Sequence, residues 1–352
     1  MKTLTIAVIG YGGMGSYHVE HLLSQSEGFQ LAGIMDSAIE RQRAAKEKGL
    51  HVYEDQAAVF ADEAVDLVLI ATPNDSHKTI AIAAMTAGKH VICEKPATIT
   101  AEDLKDILAV SDQTGRHFIV HQNRRWDPDF LIVKELYEKK EIGEVFQIES
   151  RVQGANGIPG DWRHEKAHGG GMLLDWGVHL FDQLLWLIDR PIESVHTELS
   201  YVLGHEVDDG FTTFLTFAEG VKVIVEVGTT NYTKLPRWYV KGTKGTAKII
   251  DWDLSGDVIV AKESETIEAP TPIKAGVGLT KTMAPPSEEA TEVRALPTGA
   301  VMEESFYDNV YHVLTRGDLP IVQNTEVLTV ARLMDQILAG NSSPVLEASA
   351  AR

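Results

Sequence analysis

The sequence holds a single cysteine, Cys93. No intrachain disulfide can form, and a reducing compartment, the cytoplasm, is expected. Long apolar runs are missing as well: nothing approaches the roughly 20 residues that span a bilayer. The first residues enter a strand-like pattern at once (Leu4, Ile6, Val8, Ile9), with no apolar segment leading to a small-residue cleavage site, so no signal peptide is expected. Positive charge is scarce: 32 Lys and Arg stand against 51 Asp and Glu, a net charge of −19. Such a chain repels nucleic acid and anionic membrane surfaces, and neither is expected as a partner; a neutral substrate is unaffected. Internal repeats and low-complexity tracts are absent too. The 352 residues, 44% of them hydrophobic, are enough for two globular domains.

The first half alternates short apolar runs with helical spacing. Strands are predicted at 4–9, 30–35, 65–71, 89–93 and 117–121, and helices at 14–25, 37–48 and 76–87, the last closed by Gly88. Thr100 with Asp103 three residues on resembles a capping box and begins a further helix. The run 65–71 is apolar throughout, as a parallel strand buried on both faces requires. Repeated β-α units of this length predict a doubly wound parallel sheet, an α/β Rossmann domain over residues 1–122.

From residue 123 the pattern changes. A helix is expected over 127–140, then strands at 144–152, 194–203, 211–218, 221–228, 237–241 and 246–251, with tight turns at Glu219-Gly220 and 242–245. That meander predicts an α+β domain over 123–352 with a large, mostly antiparallel open sheet. A strongly apolar helix, 172–188, interrupts it. The proline-rich stretch 265–298 is expected to be a long loop, and two helices close the chain near 300–316 and 324–339.

Gly10-Tyr11-Gly12-Gly13-Met14-Gly15 fits G-x-G-x-x-G between a strand and a helix. The first glycine permits the tight turn, the second lets the backbone approach a pyrophosphate, and the third lets helix and strand pack closely. The motif alone is weak, and a plain strand-turn-helix would satisfy it. Asp36, 21 residues past Gly15 at the end of the second strand, adds specificity. A carboxylate there accepts hydrogen bonds from ribose hydroxyls and repels a 2′-phosphate, so NAD is expected over NADP, although Arg41 and Arg43 follow closely.

Lys95, within Glu94-Lys95-Pro96, follows the strand 89–93 and so stands at the mouth of the cofactor crevice; a solvated loop lysine fits the spacing equally well. Asp175 and His179 lie four residues apart on one face of the apolar helix. Buried there, they need partners, and a satisfied structural pair would serve as well as a catalytic one. Two features read as decoys. His164-Glu165-Lys166-Ala167-His168 spells H-E-x-x-H, but three glycines follow at once and no apolar helical face surrounds it, so no metal is expected. Cys93 reads as an inert buried thiol rather than a nucleophile.

Together these motifs resemble the glucose-fructose oxidoreductase, inositol dehydrogenase and rhizopine-catabolism (Gfo/Idh/MocA) family. The resemblance rests on Gly10 to Gly15, Ala71-Thr72-Pro73-Asn74 with His77, Glu94-Lys95-Pro96, Asp161-Trp162-Arg163, the spaced run from Gly169 through Leu173, Asp175, Gly177 and His179 to Asp182, and Gly242 to Thr246. It covers nearly the whole chain except 265–298. It implies that Lys95 is the catalytic lysine, with Asp175 and His179 completing the set. It implies that Thr72, Pro73, Asn74 and Glu94 line the cofactor, that Trp162 and Arg163 approach the nicotinamide or the substrate, and that the open sheet mediates homo-oligomer contacts. Tyr11, Gly13, Met14, Ser37, Arg41, His77 and Gln122 complete the expected cofactor set. Arg124, Arg125, Trp126, Arg163 and Trp238 are candidates for substrate recognition beside Lys95, Asp175 and His179.

The implied reaction moves a hydride between a secondary hydroxyl and the nicotinamide. His179 is the better base on its reference pKa, Asp175 orients it, and protonated Lys95 stabilises the alkoxide; Lys95 as the base stays open. The expected substrate is a neutral sugar, glucoside or inositol-like polyol. An enzyme that retains NAD and returns the hydride, as a sugar–sugar oxidoreductase or a glycosidase working through a 3-keto intermediate, is the alternative. A non-catalytic dinucleotide sensor is the third reading, against which the joint presence of Lys95, Asp175 and His179 counts.

Overall fold

The computed structural model describes residues 2–23, 26–262, 271–283, 289–298 and 301–340. Five parallel strands, β1 (Leu4–Ile9), β2 (Phe29–Met35), β3 (Leu67–Ile70), β4 (His90–Cys93) and β5 (Phe118–Val120), form the first sheet in the order β2-β1-β3-β4-β5. All four residues of β3 are buried, as a strand covered by helices on both faces must be. The crossovers carry α1 (Gly13–Tyr17), which continues as a π-helical turn through Leu22, then α2 (Ile39–Glu47), α3 (Gln56–Ala61), α4 (His77–Thr86) and α5 (Ala101–Thr114). Thr100 caps α5 by accepting from the Asp103 N–H, and Gly115 ends it in the left-handed region. The strand order reverses between β1 and β3, and in such sheets ligands bind beyond the carboxyl ends of the strands at that point.

The second layer begins with α6 (Pro128–Glu138) and β6 (Val145–Gln153). A π-helical turn, Leu173–Gly177, then runs into α7 (Val178–Leu187). The strands β7 (Ile192–Ser200), β8 (Gly210–Phe217), β9 (Lys222–Gly228), β10 (Trp238–Gly242), β11 (Gly245–Ile249) and β12 (Gly256–Ala261) follow. The segment 265–298 corrects the expectation of a plain loop. Its described part holds a small hairpin, β13 (Ile273–Ala275) and β14 (Gly278–Thr280), and an edge strand, β15 (Thr291–Arg294), paired to β12; Pro270, Pro285 and Pro286 lie outside the described residues. The eight-stranded sheet runs β15-β12-β11-β10-β6-β9-β8-β7 and is antiparallel except where β6 meets β9. Its inner face packs Phe211, Phe217 and Trp238 against Phe130 of α6 and Phe181 of α7.

The chain then returns to the first layer. Phe306, Tyr307 and Val310 of α8 (Phe306–Arg316) join the core made by Ile6, Val8 and Ile34. The last helix, α9 (Asn324–Leu338), gives Val327 to the first layer and Val330, Leu333 and Met334 to the second. Among the described residues no helix is long and apolar enough to cross a membrane.

Candidate active site

At the end of β1, Gly10 adopts φ +93°, and a Cβ there would lie 2.5 Å from the Ala71 carbonyl oxygen. A Cβ on Gly15 would lie 1.8 Å from the Gly10 carbonyl oxygen, so helix and strand touch only because both residues lack a side chain. Gly13, by contrast, faces open space. The turn is therefore closed behind and open in front, as the approach of a pyrophosphate requires. Met14 and Ser37 are exposed along this opening, whereas Tyr11 is buried and donates its hydroxyl to Glu20.

Asp36 ends the second unit of this cradle. Its carboxylate is buried and accepts from the Tyr11 N–H (2.7 Å) and the Ala38 N–H (2.8 Å). The half-exposed Arg41 guanidinium lies 3.3 Å from the same carboxylate and beside Gly12. The charge expected to meet a ribose thus also braces the glycine turn, and a cation stands next to it.

Beyond β3, Thr72 bonds Ser76 and Asn74 donates to the Gly169 carbonyl, while Asp75 pairs with His168. The loop that carries Trp162 and Arg163 is thereby tied over the crevice. His77 is corrected from a cofactor contact to a support. Its ring is fully buried, with its nitrogens against the carbonyls of Thr72 and Pro96, and burial holds its pKa below the usual value. Glu94 is likewise taken up by protein: His18, His121 and the Lys95 N–H occupy its two oxygens. Gln122, at the end of β5, is buried with neither amide atom partnered among the described residues. Buried amides rarely stay unsatisfied. The open cradle and this orphaned amide fit a bound dinucleotide.

The reactive groups converge at the carboxyl ends of β4 and β5. Lys95 donates from Nζ to the Asp175 backbone carbonyl (2.9 Å) and to its Oδ1 (3.1 Å). Arg163 Nε lies 3.2 Å from Asp175 Oδ2, so two cations share one carboxylate. Burial alone would raise the Asp175 pKa, but Lys95 and then Arg163 outweigh it and hold it below the usual range. His179, in the first turn of α7, is buried, with Nδ1 unpartnered among the described residues. Its pKa lies well below the ordinary imidazole value, first from burial and then from Lys95 and Arg124. The structure thus brings Lys95, Asp175, His179 and Arg163 together.

Two recognition candidates are corrected. Arg125 is fully buried in a bidentate pair with Asp182 and a further pair with Glu326. Trp238 is fully buried and donates its indole N–H to Asp129. Trp126 donates to the Glu304 carbonyl and packs edge-on against Phe306. Arg125 and Trp238 are thus taken up in the interior, whereas Trp126 is half-buried with its indole N–H engaged. Arg124 does stay near the site, its guanidinium 4.4 Å from the Trp176 ring and 5.2 Å from the Trp252 ring.

His164 ends one short 3-10 turn, Trp162–His164, and His168 ends another, Lys166–His168, so the two do not share a helix face as a zinc helix requires. Cys93 is fully buried, and burial pushes its thiol pKa well up. In the sequence Trp176 reads only as part of the apolar helix, and Trp252 is not singled out. Trp176 stands 5.9 Å from the His179 ring and 6.2 Å from Trp252, whose ring also meets Arg237 at 3.8 Å. Trp252 sits in a turn without periodicity; only its neighbours in space mark it.

The family model described as "Oxidoreductase family, NAD-binding Rossmann fold" matches residues 4–122, and the GFO/IDH/MocA C-terminal domain matches residues 130–248. An uncharacterized oxidoreductase of Escherichia coli, YdgJ, is 31% identical over 69% of this chain and 70% of its own. The scyllo-inositol 2-dehydrogenase (NADP(+)) IolW of Bacillus subtilis is 29% identical over 69% of this chain and 67% of its own. A solved NAD-binding protein from Listeria innocua is 58% identical and superposes with a TM-score of 0.94, covering 97% of this chain and 98% of that one. The chain belongs to the GFO/IDH/MocA family and is an NAD(P)-binding oxidoreductase with a Rossmann domain and a mixed, mostly antiparallel second sheet.

Proposed function

We propose that the protein is a dehydrogenase that moves a hydride between a secondary hydroxyl of a neutral sugar, glucoside or inositol-like polyol and the nicotinamide of NAD. The observation that carries this reading is the Lys95–Asp175–Arg163 cluster beside buried His179, at the strand ends that open onto the glycine cradle. Bound dinucleotide supplies the hydride acceptor. Lys95 has three N–H donors and gives two to Asp175, which leaves the third for the substrate oxygen. That donor, with Arg163 and Arg124 nearby, stabilises the alkoxide that develops there. His179, kept neutral by burial, can take the hydroxyl proton. Trp176 and Trp252 offer apolar faces to a hydroxylated ring. Inositol dehydrogenation by the relatives IolW of Bacillus subtilis and the inositol 2-dehydrogenase of Salmonella typhimurium supports the substrate class.

The preference for NAD rests on the Asp36 carboxylate at the ribose position. The outer face of the second sheet is proposed to meet another copy of the chain, because Phe146, Phe214, Ile259 and Val293 stand exposed on it. Light scattering on wild type and Phe214→Glu checks this: an oligomer that Phe214→Glu dissociates is expected, and a wild-type monomer refutes it.

The test of the reaction is to release and assay any dinucleotide from purified protein, then supply NAD or NADP with inositols, hexoses and glucosides while following absorbance. Reduced dinucleotide is expected with one of these substrates and not in Lys95→Ala. Stoichiometric retained NAD without net reduction would move the reading to an enzyme that returns the hydride.

A further inference from the structure

Three residues bond Glu94 directly, and a fourth, Tyr307, braces one of them. Its Oε1 lies 2.6 Å from His18 Nε2 and 2.8 Å from His121 Nδ1, and its Oε2 accepts the Lys95 N–H at 3.1 Å. His18 Nδ1 in turn lies 2.6 Å from the Tyr307 hydroxyl. His18 comes from the π-helical turn after α1, His121 follows β5, and Tyr307 belongs to α8. The side chains of His18, Glu94, His121 and Tyr307 are all buried.

One set of protons satisfies every contact. Tyr307 donates O–H to His18 Nδ1, His18 donates Nε2–H to Glu94, and His121 donates Nδ1–H to the same oxygen. Glu94 is then an anion that accepts three N–H groups. Burial lowers the His18 pKa, in keeping with a neutral ring, and keeps the Tyr307 phenol protonated. Burial would raise the Glu94 carboxyl, but His121 and His18 hold it well below the usual range.

We infer that Glu94 is a positioning residue for Lys95: with His18, His121 and Tyr307 it forms a buried anchor that fixes the Lys95 backbone at the mouth of the crevice and sets a fixed negative charge behind the catalytic cluster. The inference rests on the dehydrogenase reading above and replaces the cofactor-lining role that the family resemblance implied for Glu94. The last helix but one becomes part of the support of the site, because Tyr307 orients the ring that holds Glu94. The three donor atoms lie within 4.8 Å of one another, a spacing that a cation could share. Hydrogen bonds account for it better, since both rings meet a single oxygen and the remaining His18 nitrogen is taken.

Glu94→Gln keeps the shape and removes the charge. In the full-length protein we expect NAD affinity to stay within about twofold while kcat falls about ten- to a hundredfold, the scale of a misplaced catalytic group. The charged groups acting on His179 are Lys95, Arg124, Glu94 and His121, and Glu94 is the one that favours the protonated ring. Its loss should therefore move the acid limb of the kcat/KM profile to lower pH. Tyr307→Phe should act in the same direction with a smaller effect, and it carries the test if Glu94→Gln does not fold. An NAD affinity that falls in step with kcat would make Glu94 a cofactor contact. Unchanged kcat and pH profile would reduce the network to structure. A stoichiometric, chelator-removable ion in the purified protein would make it a metal site. Should the wild type oxidise none of the hydroxyl substrates, ring-nitrogen NMR still decides on the anchor: protons on His18 Nε2 and His121 Nδ1, with a Lys95 amide resonance shifted by Glu94→Gln, support it, and the opposite tautomers overturn it.

Discussion

Lys95 meets Asp175 twice, at the carboxylate and at the backbone carbonyl of the same residue. A lysine that only neutralised a carboxylate would not need the second bond; the pair of bonds fixes the ammonium in direction as well as in charge. Lys95→Ala should lower kcat by about a thousandfold and Asp175→Asn by about a hundredfold, the range observed when a donor to a developing oxyanion is lost or misdirected. Dinucleotide affinity, measured by fluorescence, should change little in either variant. Full turnover in Asp175→Asn would show that the pair only holds the loop.

On the proposed reading, Asp36 and Arg41 balance the choice of cofactor. Asp36→Ala removes the group proposed to accept from the ribose and also two backbone bonds, to Tyr11 and Ala38. It should weaken NAD more than NADP. Arg41→Ala should leave NAD almost unchanged and weaken NADP further, because the exposed guanidinium is the cation available to a 2′-phosphate. The ratio of the two dissociation constants in each variant checks both statements; an unmoved ratio in Asp36→Ala would sink the assignment.

Much of this architecture was legible before any coordinates. The buried run at β3 and the glycine turn after β1 carry strong local signals, since burial on both faces and a missing Cβ leave marks in the sequence itself. Asp175 and His179 were visible as polar residues on an apolar helix. The errors share one cause. Arg125 and Trp238 resemble binding residues by type, yet Asp182, Glu326 and Asp129, distant in sequence, claim them. Trp252 and Tyr307 gain their places only when a turn and a late helix fold back onto the site. The edge strand β15 alternates too briefly to stand out beside its prolines.

Trp252 is half exposed; its ring stacks with Arg237 and Arg124 and lies 6.2 Å from that of Trp176. If it forms the distal wall for a sugar ring, Trp252→Ala removes binding that ground and transition states share. KM should rise about tenfold with kcat nearly constant, and the melting temperature should hardly move, since the lost stacking amounts to about 1 kcal/mol. A fall in kcat at unchanged KM would place Trp252 in the catalytic geometry instead.

Asp208 couples the catalytic segment to pH. Its carboxylate accepts the Leu173 N–H at the start of the turn that carries Asp175. Burial raises its pKa to about 6 from 3.8, against the lowering effect of backbone hydrogen bonds. Between these values the folded protein holds a proton that the unfolded chain has lost. Asp208 therefore makes stability fall as pH rises through that window, by at most about 3 kcal/mol, and the loss is complete above about pH 6. Asp208→Asn keeps an acceptor for Leu173 and cannot ionise. Urea unfolding at pH 4 and pH 7 should show the variant gaining stability relative to wild type at the higher pH. Parallel curves for the two proteins would mean that Asp208 ionises at no cost where it stands, and that its bond to Leu173 stabilises the charge fully.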